Sequence, residues 1–279
     1  MYIDFEYANK RLSDFGYIIC NFNNSSGVSD IEIGCDITFN TVKNNHSSIH
    51  YKTSTSYENV FSTPFDIMKN PCGKEEKDLT ISLDEASQII SWLNRHEYYK
   101  FKPLLLNDSS VIHYYGSFNI KKKTIGEKLI GFTVTFTGNT PYALGEKITN
   151  RFDFIETDFN ENNEAEFSIY GVGDEYKNIY PTVTISPKTN CTDFIITNAT
   201  TGKRIVLHNL LAGEIITLLG EHKILLSKML DSNTTLYNDF NYEWFDIQVN
   251  DHFSENKYTV NTPCTISVEY EPIRKVGIF

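Results

Sequence analysis

The sequence is short of most features that announce chemistry. It contains no Gly-x-Ser-x-Gly, no glycine-rich phosphate loop and no His-Glu-x-x-His, so the common nucleophile, nucleotide and zinc-protease signatures are missing. No apolar run approaches the ~18 residues of a membrane helix. The opening MYIDFEYANKRL lacks the apolar stretch of a signal peptide, so neither a membrane span nor secretion is expected. The five cysteines, Cys20, Cys35, Cys72, Cys191 and Cys264, are odd in number and form no CxxC, which predicts free thiols in a reducing compartment. Basic residues are in deficit, 25 against 36 acidic, for a net charge of −11. The deficit is uneven: 14 basic against 16 acidic residues up to Pro141 (net −2), then 11 against 20 (net −9). A surface that reads nucleic acid through phosphates needs the opposite sign. Sequence-specific binding is therefore disfavoured, while an acidic wall that DNA slides past without sticking is compatible.

Aromatic and β-favouring residues fill the gap. There are 19 Phe and 17 Tyr, and Ile and Thr are plentiful where Ala is scarce, which points to strands. A length of 279 residues suits two domains or one large β domain.

Alternation of apolar positions predicts strands over 16–22 and 30–37, with a turn at Asn23–Gly27 between them. Residues 40–60 are polar and read as a long hairpin arm or loop. His46 and His50 lie four apart, a metal-sharing spacing only on a helix. The Ser/Thr/Asn density argues against a helix, and no third ligand is near, so these read as solvated loop histidines. Residues 61–68 read as extended with an edge at Pro64, Asn70–Gly73 as a turn, and 77–83 as another strand.

A helix starts at Ser82. Glu85 completes a capping box with it, and Ala86, Ile89, Ile90 and Leu93 make one apolar stripe with Trp92 at its flank. The helix should end near His96. Such a short helix is not stable alone, so its stripe must dock on a sheet. Glutamate at Ile90 is then expected to abolish folding of the first domain. Strands follow at 111–120 and 129–137, the latter with Phe132, Val134 and Phe136 on one face. Between them, Lys121, Lys122, Lys123 and Lys128 form a charged hairpin tip, a candidate partner contact or simply a solvated guard for the strand ends. Residues 142–152 read as a connector. Short, regularly spaced strands from Phe167 to Tyr270 carry the signature of a sandwich or barrel.

Glu156, Asp158, Glu161, Glu164 and Glu166 cluster without a basic partner, which fits a solvated loop better than a glycosidase carboxylate pair. Asp158-x-Asn160-x-Asn162 resembles the start of a calcium loop, but the sixth and twelfth positions are Asn163 and Ile169, so an EF-hand is rejected. No catalytic residue, cofactor site or metal site is nominated.

Several stretches resemble one family. Trp92-Leu93 followed by Tyr98-Tyr99-Lys100-Phe101, then Gly131-Phe132-Thr133-Val134-Thr135-Phe136 and Thr140-Pro141-Tyr142-Ala143, are similar to the ring domain of distal tail (Dit) proteins of long-tailed bacteriophages. Tyr180 to Ile185, Phe194 to Asn198 with Thr201-Gly202, Leu210 to Thr217, Asp239-Phe240-Asn241 with Phe245, Glu255 to Tyr258 and Val268 to Arg274 resemble that family's outer sandwich in order. The segment before Tyr180 departs from the pattern, being longer and more acidic.

The resemblance implies a mainly β fold. It places an N-terminal split-barrel (RIFT-related) ring domain with one short helix at 1–141 and a galectin-like β-sandwich at 142–270. Residues 271–279 would form a C-terminal segment returning to the ring domain. It implies a structural, non-enzymatic virion protein at the phage tail tip, assembled in the bacterial host cytoplasm. Six copies would form a ring joining the tail tube protein to the tail-tip or tail-associated lysin protein, with a receptor-binding protein attached outside. DNA would pass through the bore non-specifically. Subunit or partner contacts are expected at Asn45, His46 and Tyr51 of the polar arm and at the lysine tip. The competing readings are a stand-alone carbohydrate-binding sandwich, with Trp92, Trp244 and surface tyrosines as stacking platforms, and a wall-degrading enzyme, which the missing motifs disfavour.

Overall fold

Strands of alternating burial account for most of the chain, and a single α-helix interrupts them among the described residues. The structure is a computed structural model that describes residues 2–20, 36–44, 47–56, 60–105, 112–174, 178–228, 236–250 and 253–275. For 36–44 and 47–56 it gives the course of the backbone. Two compact units emerge, Met1–Gly145 with Lys275, and Glu146–Arg274.

The first unit begins with β1 (Tyr2–Tyr7), β2 (Lys10–Arg11) and β3 (Tyr17–Cys20). A separate hairpin, β4 (Asp36–Asn44) and β5 (Ser47–Ser56), comes next, followed by β6 (Ser62–Lys69). Helix α1 (Leu83–Leu93) leads to β7 (Tyr99–Leu105), β8 (Tyr114–Ile125) and β9 (Lys128–Gly138). β10 (Ala143–Leu144) bridges back to His113. Seven strands form one antiparallel sheet in the order β2-β1-β7-β8-β9-β6-β3, and β3 returns close to β1, so the sheet curls toward closure. Phe132, Val134 and Phe136 of β9 are buried on one face, as their alternation predicts. They meet Phe5, Phe101 and Phe118, with Phe101 stacked on Phe136 at 4.3 Å between ring centres. Gly116 makes this possible, because a Cβ there would strike the Phe136 ring and the Thr137 carbonyl.

The helix starts as the sequence predicts. Ser82 Oγ accepts from the Glu85 amide, and the Glu85 carboxylate accepts from the Ser82 amide. Its buried face is Ala86, Ile89, Trp92 and Leu93. Ile90, expected in the stripe, is half-buried at its border, and Trp92 occupies the core instead. The large indole reaches between Phe5 and Phe15, and that rotates the buried face toward it. The helix ends at Leu93 rather than near His96, because Asn94 leaves helical geometry while its N–H still bonds the Ile90 carbonyl. The strand expected over 77–83 is replaced by a 3₁₀ turn at Glu76–Leu79. Lys69 accounts for this: its Nζ donates to the carbonyls of Asp78 and Thr80.

The second unit is a sandwich of two antiparallel sheets. Its strands are β11 (Ile148–Asp153), β12 (Ala165–Val172), β13 (Asn178–Ile179), β14 (Thr182–Pro187), β15 (Cys191–Asn198) and β16 (Arg204–Leu210). The rest are β17 (Ile216–Leu219), β18 (Ile224–Ser227), β19 (Ile247–Gln248), β20 (Phe253–Val260) and β21 (Cys264–Tyr270). One sheet runs β11-β21-β14-β17-β18 and the other β12-β20-β15-β16, with a small β13-β19 pair beside them. Inward residues of both sheets, including Val183 and Ile266 from one and Ile169 and Ile196 from the other, share a single core. The expected connector over 142–152 is partly a strand: β11 pairs with β21 from Ile148↔Tyr270 to Asp153↔Thr265. Among the described residues, no helix is long and apolar enough to cross a membrane.

Candidate functional site

The features of the first unit that suit a partner are the β8–β9 tip, the outer edge of β8 and the β4–β5 hairpin. β8 and β9 stay paired from Gly116↔Gly138 to Ile125↔Lys128, and Gly126 in the left-handed region (φ 59°) closes the turn. The four lysines of the tip do not act alike. Lys121, Lys122 and Lys128 are exposed and make no ion pair with another described residue. Lys123 is half-buried, its Nζ 3.9 Å from Asp66, a buried carboxylate that also accepts from Thr133 Oγ1 at 2.6 Å. Lys123 thus neutralises an internal acid, and the other three lysines of the tip face solvent.

Beside the tip, Ile90 and Asn94 of α1 face Ser117–Ile120, Lys122 and Thr137 across an open groove of about 480 Å³. The hairpin carries Tyr51 on β5 opposite Asn40, and His50 opposite Thr41. Asn45 and His46 lie outside the described residues. β4 and β5 pair only with each other among the described strands.

Lys69 and Glu85 form a link that sequence reasoning missed. Their 2.9 Å ion pair joins β6 to the start of α1. The Lys69 hydrogen bond, then the Ser82 amide, hold the Glu85 carboxyl down at about 2. The capping box was legible, but a cation on another strand was not.

In the second unit, Asp246 is buried and saturated. It accepts from Lys203 Nζ at 3.1 Å, Asn178 Nδ2 at 2.9 Å and Asn198 Nδ2 at 3.3 Å. This hydrogen bond raises the Lys203 pKa. Nearby, the Lys223 ammonium sits 3.3 Å above the Tyr180 ring centre and 5.3 Å from that of Trp244. Burial, then the Lys203 charge, lower its pKa. Trp244 is half-buried with Phe240 edge-on at 5.2 Å, and Trp92 is in the core of the first unit, so neither is a free stacking platform. The acidic segment is built of turns. Asn160 Oδ1 accepts from the amides of Asn162 and Glu164, and Asp158 Oδ2 from that of Ile155. These oxygens serve the backbone, which explains the calcium-loop look of the spacing. Among the described residues, no three His, Cys, Asp or Glu gather as a metal site.

The profile of a family described as "Phage tail protein N-terminal domain" matches residues 1–140, and one described as "Phage tail C-terminal domain" matches 152–270. No curated protein matches the chain. Among solved structures, the chain is similar to the SPP1 Dit (gp 19.1) protein, described as a paradigm of hub adsorption apparatus in Gram-positive infecting phages. The TM-score is 0.62 at 14% identity, over 97% of this chain and 99% of that one. A chain of the phage P2 baseplate in its activated conformation with Ca aligns over 96% of this chain and 98% of that one, with a TM-score of 0.46 at 10% identity. The fold is therefore that of a Dit protein, mainly β in both units.

Proposed function

The chain belongs to the family of phage tail proteins, and from that premise we propose that it is the distal tail hub of a phage or prophage tail. In this reading its role is structural rather than catalytic, and it resides in the virion at the tail tip. The observation that carries it is the end-to-end correspondence with the SPP1 Dit protein, over 97% of this chain and 99% of that one.

Six copies close into a ring through the first unit, which acts as a split-barrel (RIFT-related) belt domain spanning 1–141. The galectin-like sandwich of 142–270 stands outside it as an attachment point for receptor-binding components. The ring joins the tail tube protein to the tail-tip or tail-associated lysin protein, and DNA passes through its bore without specific contacts. The charge distribution supports this: most of the net −11 lies beyond Pro141, and Lys121 and Lys128, uncommitted cations of the tip, are placed for protein contacts.

Light scattering on the purified protein, alone and with tube protein, tests the reading. Given the 32.1 kDa subunit mass, a sixfold assembly that binds tube protein is expected. A monomer that ignores tube protein and binds a glycan array would favour a stand-alone carbohydrate module instead.

A further inference from the structure

We propose that the open outer edge of β8 receives the β4–β5 hairpin of a second copy of this chain, the two pairing as strands of one sheet. The inference rests on the ring reading and names a contact that would close the ring.

The first observation is an unfinished sheet edge. β8 pairs with β9 along Gly116–Ile125 but with β7 only at Tyr114–Gly116. From Ser117 to Ile125, no described strand pairs with its outer side. The direction of the peptide groups follows from their partners. The Tyr115 carbonyl accepts from Asn139 on the β9 side, while the Gly116 carbonyl accepts from the Tyr7 hydroxyl on the β7 side. Residues alternate along a strand, so Phe118, Ile120 and Lys122 aim their N–H and C=O groups at the open edge. An open groove lies between this edge and Ile90 and Asn94 of α1.

The second observation is a sheet that lacks a member. β4 and β5 pair with each other from Asp36↔Ser56 to Asn44↔Ser47 and with no other described strand. An isolated two-stranded hairpin is marginal in water and gains stability from a third strand. The lengths agree: β4 has 9 residues, and the open stretch of β8 runs from 117 to 125. The hairpin reaches roughly 30 Å at ~3.3 Å per residue, long enough to leave its own subunit. Lys121 and Lys122 guard the edge against indiscriminate pairing, whereas the hairpin is rich in Ser, Thr and Asn and carries a single acid, Asp36.

Lys122→Pro tests the pairing. It removes an outward-facing amide, while Lys122 opposite Phe132 contributes no N–H to the β9 ladder. Lys122→Ala keeps the amide and removes only the charge. The expected result is that Lys122→Pro prevents assembly and Lys122→Ala assembles like the wild type. Hydrogen exchange on the wild-type protein gives an independent reading, with amides of Phe118, Ile120 and Lys122 slowed roughly tenfold or more on assembly. If Lys122→Pro assembles normally and those amides exchange at unchanged rates, the pairing is wrong while the ring stands. If both variants fail to assemble and the amides stay unprotected, the lysine side chain makes the contact and the pairing is again wrong. If the wild type assembles neither alone nor with tube protein, the ring reading falls and this inference with it.

Discussion

The indole N–H of Trp92 donates to the carbonyl oxygen of Tyr7 at 2.8 Å, tying the last turn of α1 to the end of β1. Phe5 stacks on the same indole at 5.5 Å with planes 3° apart, and Phe15 lies on it at 4.6 Å. The helix is held on the sheet by this aromatic clamp as much as by its aliphatic residues.

Trp92→Phe should keep most of the packing and lose the bond, leaving the carbonyl short of a donor at a cost of about 1–3 kcal/mol. Trp92→Ala should cost about 3–5 kcal/mol as a large-to-small core change. Denaturant unfolding of the two variants checks both figures, and unchanged midpoints would contradict the clamp.

Ile89 and Ile90 should respond differently to the same change. Ile89 is 1% exposed, so Ile89→Glu buries an unpaired charge and should prevent the first unit from folding. Ile90 borders the open groove, and Ile90→Glu can turn its carboxylate to water, at about 1–2 kcal/mol. Soluble expression and circular dichroism distinguish them; equal damage from both would place Ile90 in the core after all.

The Lys69–Glu85 link predicts an acid dependence. Glu85 has a depressed pKa in the folded state, so its contribution is present above the unfolded value of about 4.3. That contribution is lost as pH falls toward about 2. Because the Glu85 side chain is 42% exposed, solvent screening limits the effect of Glu85→Gln at neutral pH to about 0.5–1 kcal/mol. Stability curves of wild type and variant should differ at pH 7 and converge near pH 2. A difference that persists in acid would rule out the ion pair as its source.

Asp246→Ala should destabilise the sandwich by about 3 kcal/mol, because the Lys203 ammonium loses its carboxylate and the two asparagines lose their acceptor. Adding Lys203→Met should recover part of that loss. A double variant no more stable than the single one would show that Lys203 is not the group left stranded.

Local signals in the sequence reached far into the fold. The capping box of Ser82 and Glu85, the alternation of Phe132, Val134 and Phe136, and the strand spacing after Phe167 each follow from backbone periodicity, which neighbouring residues alone determine. What stayed hidden depends on distant partners. Trp92 entered the core because Phe5 and Tyr7 await it, and 76–79 became a turn because Lys69 claims its carbonyls. The lysine tip was visible as a charged run. That Lys123 is committed to Asp66, on the far side of β9, was not.

A hub subunit would sit at the end of the tail. Cryo-electron microscopy of the tail tip from purified virions tests it most directly. Six copies of this chain are expected around the bore, between tube and tip, with the sandwich units outermost. Virions lacking the protein, or carrying it elsewhere than the distal end, would contradict it.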